Sequence, residues 1–218
     1  MSGPVVLVIG AGPGVSGFVA KRFAREGYDV ALVGLEEEVL TTLAAEIEPL
    51  GVNVGWNPVD ITDSEALEAA VKRFGEYTER IDVLHFNPSA YRAASPLELT
   101  PAQLDEDLHV GVSPLLTALQ AARPFMSEGG RVTATGSMAA DAPDASAASL
   151  GVQKAALRNL VQSIDASLRD SGIRAVSVTV RGALSKEGPF TPANVADAIY
   201  AAATQDEDTW QTEVPYSG

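Results

Sequence analysis

The residues best placed to do chemistry begin near the start of the chain, where Val5 to Ile9 form an apolar, β-branched run that stops at Gly10. A glycine-dense turn follows, and from Val15 the pattern turns helical, with Val15, Val19 and Phe23 on one face and Gly27 placed to end the helix. Strand, glycine turn and helix together form an anion cradle. Glycine backbone can approach a pyrophosphate closely, and the free N–H groups and positive dipole end of the helix then face its charge. Two registers fit. Gly12, Gly14 and Gly17 spell G-x-G-x-x-G, whereas Gly10 and Gly14 open G-x-x-x-G-x-G with Ser16 where its last glycine would stand. A tight turn that binds nothing is the plainer alternative.

Other candidates are more dispersed. Ser137 follows an apolar strand pattern and is either a ligand for a carbonyl or the cap of a turn. As a hydrolase nucleophile it is disfavoured, because Gly136-Ser137-Met138 lacks the glycine-flanked elbow. Lys154 lies on a long helical pattern, as a ligand or as a surface lysine. His85 sits within an apolar strand and reads as a hydrogen-bonded core residue, and His109 should face away from the site. Asp141 and Asp144 read as solvated loop acids.

The elements that must position these groups alternate. Strands are expected at residues 29–34, 52–59, 81–86, 131–136, 173–180 and 210–214, with helices between them. A capping box, Thr62 with Glu65, should open one helix and Thr100 with Gln103 another. The latter contains Gly111 and Pro114, so a kink is expected there. Alternation without internal linker or repeat implies one α/β domain over residues 1–218, doubly wound, with a parallel sheet of six to seven strands, helices on both faces and a ligand at the strands' carboxyl ends.

Composition narrows the partners. The formal charge of −14 argues against nucleic acid and anionic membrane. No apolar run approaches the ~20 residues of a membrane span, and the start of the chain lacks the basic, long apolar form of a signal peptide. The absence of cysteine removes disulfides and thiolate metal sites and fits a cytoplasmic protein. Two histidines far apart give no support for a metal centre.

In order and spacing these segments resemble the short-chain dehydrogenase/reductase family over nearly the whole chain. The turn from Gly10 to Ser16 matches its glycine motif. Asp60 matches its adenine-binding aspartate, and Asn87 falls in its Asn-Asn-Ala-Gly segment. Ser137 matches its catalytic serine, Lys154 its active-site lysine, and Arg181-Gly182 its Pro-Gly turn. The resemblance implies an oxidoreductase that binds NAD or NADP and acts on a small carbonyl or alcohol substrate, assembled as a homodimer or homotetramer. Cofactor contacts would come from Gly10, Gly12, Gly14, Val15, Ser16, Glu36, Asp60, Asn87 and Lys154. Glu36 could reach the ribose hydroxyls and would repel a 2′-phosphate, which favours NAD.

The departures bear on catalysis. In the family a tyrosine four residues before the lysine donates a proton to the carbonyl, and here that residue is Leu150. The family's supporting asparagine aligns with Gly111. Ser137 would then polarise the carbonyl, Lys154 would hold the ribose, and Tyr91, in the loop after the fourth strand, is the nearest replacement proton donor. A loop aromatic covering apolar surface is the plainer role for Tyr91. The segment between Gly182 and Thr191 is short for the family's substrate cover, so an open cleft is expected. Two other classes compete: a catalytically inactive scaffold or sensor, and a cofactor-independent isomerase or cyclase using the emptied cleft. Small residues at Ala147, Ala148, Gly151, Ala155 and Ala156 would allow close helix pairing between subunits.

Overall fold

The computed structural model describes residues 3–218. Seven strands, β1 (Val5–Ile9), β2 (Asp29–Gly34), β3 (Val54–Pro58), β4 (Val83–Phe86), β5 (Arg131–Ser137), β6 (Arg174–Val180) and β7 (Glu213–Tyr216), form one parallel sheet in the order β3-β2-β1-β4-β5-β6-β7. Helices α1 (Val15–Arg25), α2 (Glu37–Ile47), α3 (Ser64–Thr78), α4 (Pro101–Gly111), α5 (Ser113–Ala122), α6 (Ala148–Leu168) and α7 (Pro192–Ala203) cover both faces. This is the doubly wound Rossmann-type architecture, and the strand order reverses between β1 and β4, where such sheets open a crevice.

β1 is apolar at all five positions because it is buried on both sides. Leu7 and Ile9 face a core shared with α3, α5 and α6, while Val6 and Val8 face one shared with α1, α2 and α7. Val15, Val19 and Phe23 lie on the buried face of α1, and Gly27 follows it with φ +85°.

Several expected boundaries move. The expected Thr62–Glu65 capping box is not the one formed. The Asp60 carboxylate accepts the N–H of Thr62 (2.9 Å) and its hydroxyl (2.7 Å), so α3 starts one residue later. Asp63 is its cap, accepting from the N–H groups of Glu65 and Ala66. The Thr100–Gln103 box is present. In place of a kink the next helix breaks at Val112 (φ −138°, ψ −59°), and Pro114 occupies the first turn of α5, where a missing N–H costs nothing. The last strand is Glu213–Tyr216 rather than 210–214. Trp210 is instead pinned by its indole N–H to the Ala175 carbonyl (3.2 Å), beneath the guanidinium groups of Arg131 and Arg174.

His85 lies in the core as expected, fully buried on β4 with Nδ1 2.9 Å from the Thr133 hydroxyl. Its Nε2 is buried without a partner among the described residues. Burial, with a smaller push from the Lys154 charge, lowers its pKa to about 3. An unfolded histidine titrates near 6.5. As pH falls from about 6.5 towards 3, the unfolded chain therefore takes up a proton the folded chain refuses, and stability drops. Urea unfolding at pH 7 and pH 5 should show the parent chain losing ~2 kcal/mol more than a His85→Gln variant. Equal losses would mean that His85 is not held neutral.

Candidate functional site

The glycine turn is built by one carbonyl. The Val33 oxygen accepts N–H groups from both Gly10 (2.9 Å) and Ala11 (2.8 Å), and Gly10 takes φ +76° with Pro88 packed against its Cα. A side chain there would be strained in conformation and would meet Pro88 at 2.6 Å. Gly17 is equally constrained, since its Cβ would lie 2.4 Å from the Gly12 carbonyl. Gly12 and Gly14, by contrast, face open space. The two glycine registers thus interleave: Gly10 and Gly17 shape the turn, and Gly12 and Gly14 leave its surface bare. Ser16 is buried and its Oγ accepts from the Gly12 N–H (3.0 Å), stapling the turn from within. The start of α1 at Val15 has no side-chain cap, and whereas the Gly17 N–H is taken by the Gly14 carbonyl (3.1 Å), no side chain answers those of Val15 and Ser16.

On one side of this turn lies a cavity of about 340 Å³ bounded by Gly10, Gly34, Leu35, Val59, Asp60 and Pro88. The hydrogen bonds from Thr62 hold the Asp60 carboxyl below its usual range. Among the described residues no lysine, arginine or histidine lines this cavity. Glu36 stands exposed just outside it, immediately before α2, followed by Glu37 and Glu38.

On the other side a cleft of about 360 Å³ brings Gly14 and Val15 together with Asn87, Ser137, Leu150 and Lys154. Asn87 Oδ1 accepts from the Thr135 hydroxyl (2.8 Å). Ser137 Oγ accepts from the Ala139 N–H (3.2 Å), capping a short 3₁₀ turn while its own hydrogen stays available to a ligand. Lys154 is buried, donates to the Thr135 carbonyl (2.9 Å), and has its pKa lowered by burial to about 8. Leu150 precedes it by one helical turn on the same wall.

Tyr91 does not join them. It is 73% exposed and lies outside the residues lining the cleft, because the adjacent Arg92 turns inward to grip α4. Arg92 donates to both oxygens of the buried Asp107 (3.0 and 2.9 Å), which holds that carboxyl below its usual range. Asp141 is tied to Arg158 and Arg181, and Asp144 to Ser146, so neither faces the cleft. His109 donates to the Thr62 carbonyl (2.9 Å), away from Lys154. Among the described residues no cluster of three His, Cys, Asp or Glu side chains could hold a metal.

Gln153 is the site residue that sequence reasoning missed. It is fully buried beside Lys154 and clasps the loop after β4, accepting from the Ala90 N–H and donating to the Ala90 carbonyl, both at 3.0 Å. A Cβ at Gly111 would lie 2.2 Å from Gln153 Oε1, so glycine at 111 is what gives this amide its place. Nothing in the spacing links positions 42 residues apart. Gly111→Ala should displace the amide and cost about 1–3 kcal/mol in urea unfolding. In a Gln153→Ala background the same change should cost clearly less, and additive costs would break the coupling.

The family model described as short chain dehydrogenase matches residues 4–186. The chain is 30% identical over 178 residues to the oxidoreductase asL5 of Sarocladium schorii, covering 80% of this chain and 70% of that one. Its fold superposes on a dehydrogenase/reductase of Sinorhizobium meliloti with TM-score 0.90 at 23% identity, over 99% of this chain and 94% of that one. A Burkholderia cenocepacia short chain dehydrogenase solved in complex with NADP gives TM-score 0.89 at 27% identity, over 99% and 96% of the two chains. With its parallel sheet, glycine turn and shared cleft, this chain belongs to the short-chain dehydrogenase/reductase family of oxidoreductases.

Proposed function

We propose that this chain binds NAD(H) in the crevice above β1 and β4 and interconverts a small carbonyl compound and its alcohol. The observation that carries this reading is the uncapped start of α1, which opens beside bare Gly12 and Gly14 into the same cleft as Asn87, Ser137 and Lys154. The residues present fit a dinucleotide. Backbone N–H groups around Gly14 and Val15 would take the pyrophosphate, and Asp60 the adenine amino group. Glu36 and Lys154 would take ribose hydroxyls. When bound, the nicotinamide supplies hydride transfer.

The chain's own part in the chemistry is orientation. Ser137 donates its hydroxyl hydrogen to the carbonyl oxygen and Asn87 stiffens the cleft floor through Thr135. Leu150 has no proton to give, so the proton comes from solvent entering the open cleft. General acid catalysis typically contributes about 10²–10⁴-fold, and turnover should be slow by that margin. Leu150 equally favours a second reading, a cofactor-binding sensor with no turnover. Subunits would pair as a homodimer or homotetramer through α4, α5 and α6, in the cytoplasm. Gly151 serves an internal contact here, its Cβ position lying 3.0 Å from the Ala139 carbonyl, so Ala155 and Ala156 are the better candidates for the interface.

The preference for NAD over NADP rests on charge. A 2′-phosphate near Leu35 would meet Glu36, Glu37 and Glu38 and no cation lining the cavity. Fluorescence titration confirmed by calorimetry should show NADH binding at least about tenfold tighter than NADPH, or ~1.4 kcal/mol. Glu36→Arg should narrow or reverse that gap. Failure of both cofactors to bind at millimolar concentration would reduce the glycine turn to a turn alone and leave only a cofactor-independent use of the cleft.

Leu150→Tyr in the otherwise unchanged chain should raise carbonyl reduction with NADH in a small-aldehyde panel by about tenfold or more. No gain despite tight NADH binding would count against this assignment of the cleft. Gly111 is left alone in that variant because an asparagine there would evict Gln153.

A further inference from the structure

Among the side chains lining the cleft, Lys154 alone carries a titratable group. Its neighbours there are either apolar, as Leu150 and Val180, or neutral, as Asn87, Ser89 and Ser137. The amine spends one hydrogen bond on the Thr135 carbonyl. The nearest charged groups on β4, α4 and β7 and in the turn after β5 are engaged elsewhere or uncharged, while Asp105, Lys186 and Glu187 stand exposed to solvent. His85 on β4 is neutral, and Asp107 on α4 is held by Arg92. Asp141 in the turn after β5 is held by Arg158 and Arg181, and Glu213 on β7 by Arg158 and the Thr179 hydroxyl. Arg158, one turn along α6, is thereby occupied as well.

From this placement we propose that Lys154 is a nucleophilic amine that condenses with aldehydes small enough to enter the cleft, and more slowly with ketones, to form an imine. The nitrogen lone pair attacks the carbonyl carbon and the oxygen takes up a proton, giving a carbinolamine. That oxygen then leaves as water carrying both original amine hydrogens, and the carbon–nitrogen double bond closes. No oxidant or reductant takes part. Burial without a counter-charge favours the unprotonated nucleophile, with the pKa at about 8, whereas an ordinary lysine titrates near 10.4. The Ser137 hydroxyl, in the same cleft, is available to hold the carbinolamine oxygen.

This chemistry needs no nicotinamide, but it uses an amine that the dinucleotide reading also uses, so bound NADH should shield it. The test is reductive trapping of the purified full chain with butanal and cyanoborohydride, read by peptide mass mapping between pH 6.5 and 10. The chain has only four lysines: Lys21 and Lys72, each paired with a glutamate, the exposed Lys186, and Lys154. At pH 7.5 Lys154 should be modified at least about tenfold faster than the other three. Its rate should level off above pH 8 to 9, and Lys154→Arg should abolish the fast phase. Modification of Lys154 no faster than that of Lys186 would overturn the proposal. Fast modification upholds it with or without NADH present, and fast modification that saturating NADH leaves unchanged would count against the dinucleotide reading alone.

Discussion

The site depends on the Val33 carbonyl, which accepts two consecutive N–H groups from the end of the neighbouring strand. Satisfying both requires the chain to reverse within one residue, and Gly10 with its positive φ makes that reversal possible. Close approach then propagates. Pro88 packs against Gly10, and a Cβ at Gly34 would lie 2.6 Å from the Ala11 carbonyl, so the ends of β1, β2 and β4 converge on almost bare backbone. Any side chain at these points would push the strand ends apart. The Asp60 cavity and the Lys154 cleft share this floor, one on either side of the turn.

Charge is distributed with the same economy. In a chain with net charge −14, carboxylates around the site would cancel any attraction for an anion unless they were occupied. They are occupied. Thr62 holds Asp60, Arg92 holds Asp107, and Arg158 and Arg181 hold Asp141. The cleft is left with two sources of positive potential, the start of α1 and the Lys154 amine. Beneath that amine lies His85, which burial keeps neutral. A second cation at that depth would push the Lys154 ammonium further towards its neutral form.

The sheet and the glycine turn were legible in the sequence because their signals are local and continuous. A run buried on both faces can only be apolar, and a reversal after it needs glycine. Ser137, Lys154 and Asn87 came from the resemblance to the family rather than from local pattern, and the structure lines one cleft with all three because two stand at or just beyond strand ends and the third on the buried stripe of a long helix. Illegibility began where one residue had two roles open to it. Thr62 and Asp63 could each cap α3, and the cap falls to Asp63 because Thr62 is held by the Asp60 carboxylate. Tyr91 could point into the cleft or away, and Arg92 settled the matter by turning inward to Asp107. Gln153 reads as an ordinary polar helix residue until the glycine opposite it is known to lie within its reach.

Glycine at 111 and leucine at 150 each shape the surroundings of the Lys154 amine. A side chain simply lost from a packed site leaves a cavity and unanswered polar groups, both of which cost stability. Neither is found at Gly111. The space is filled by the Gln153 amide, whose oxygen and nitrogen are both satisfied by the Ala90 backbone, and the loop carrying Asn87 and Ser89 is fastened as a result. Leu150 sits on the cleft wall, one turn before an amine that its side chain can neither protonate nor hydrogen-bond. An apolar neighbour does nothing to sustain the charged form of a buried lysine. Gln153, seated opposite Gly111, fastens the loop that borders the cleft, and Leu150 gives Lys154 an apolar neighbour on the cleft wall.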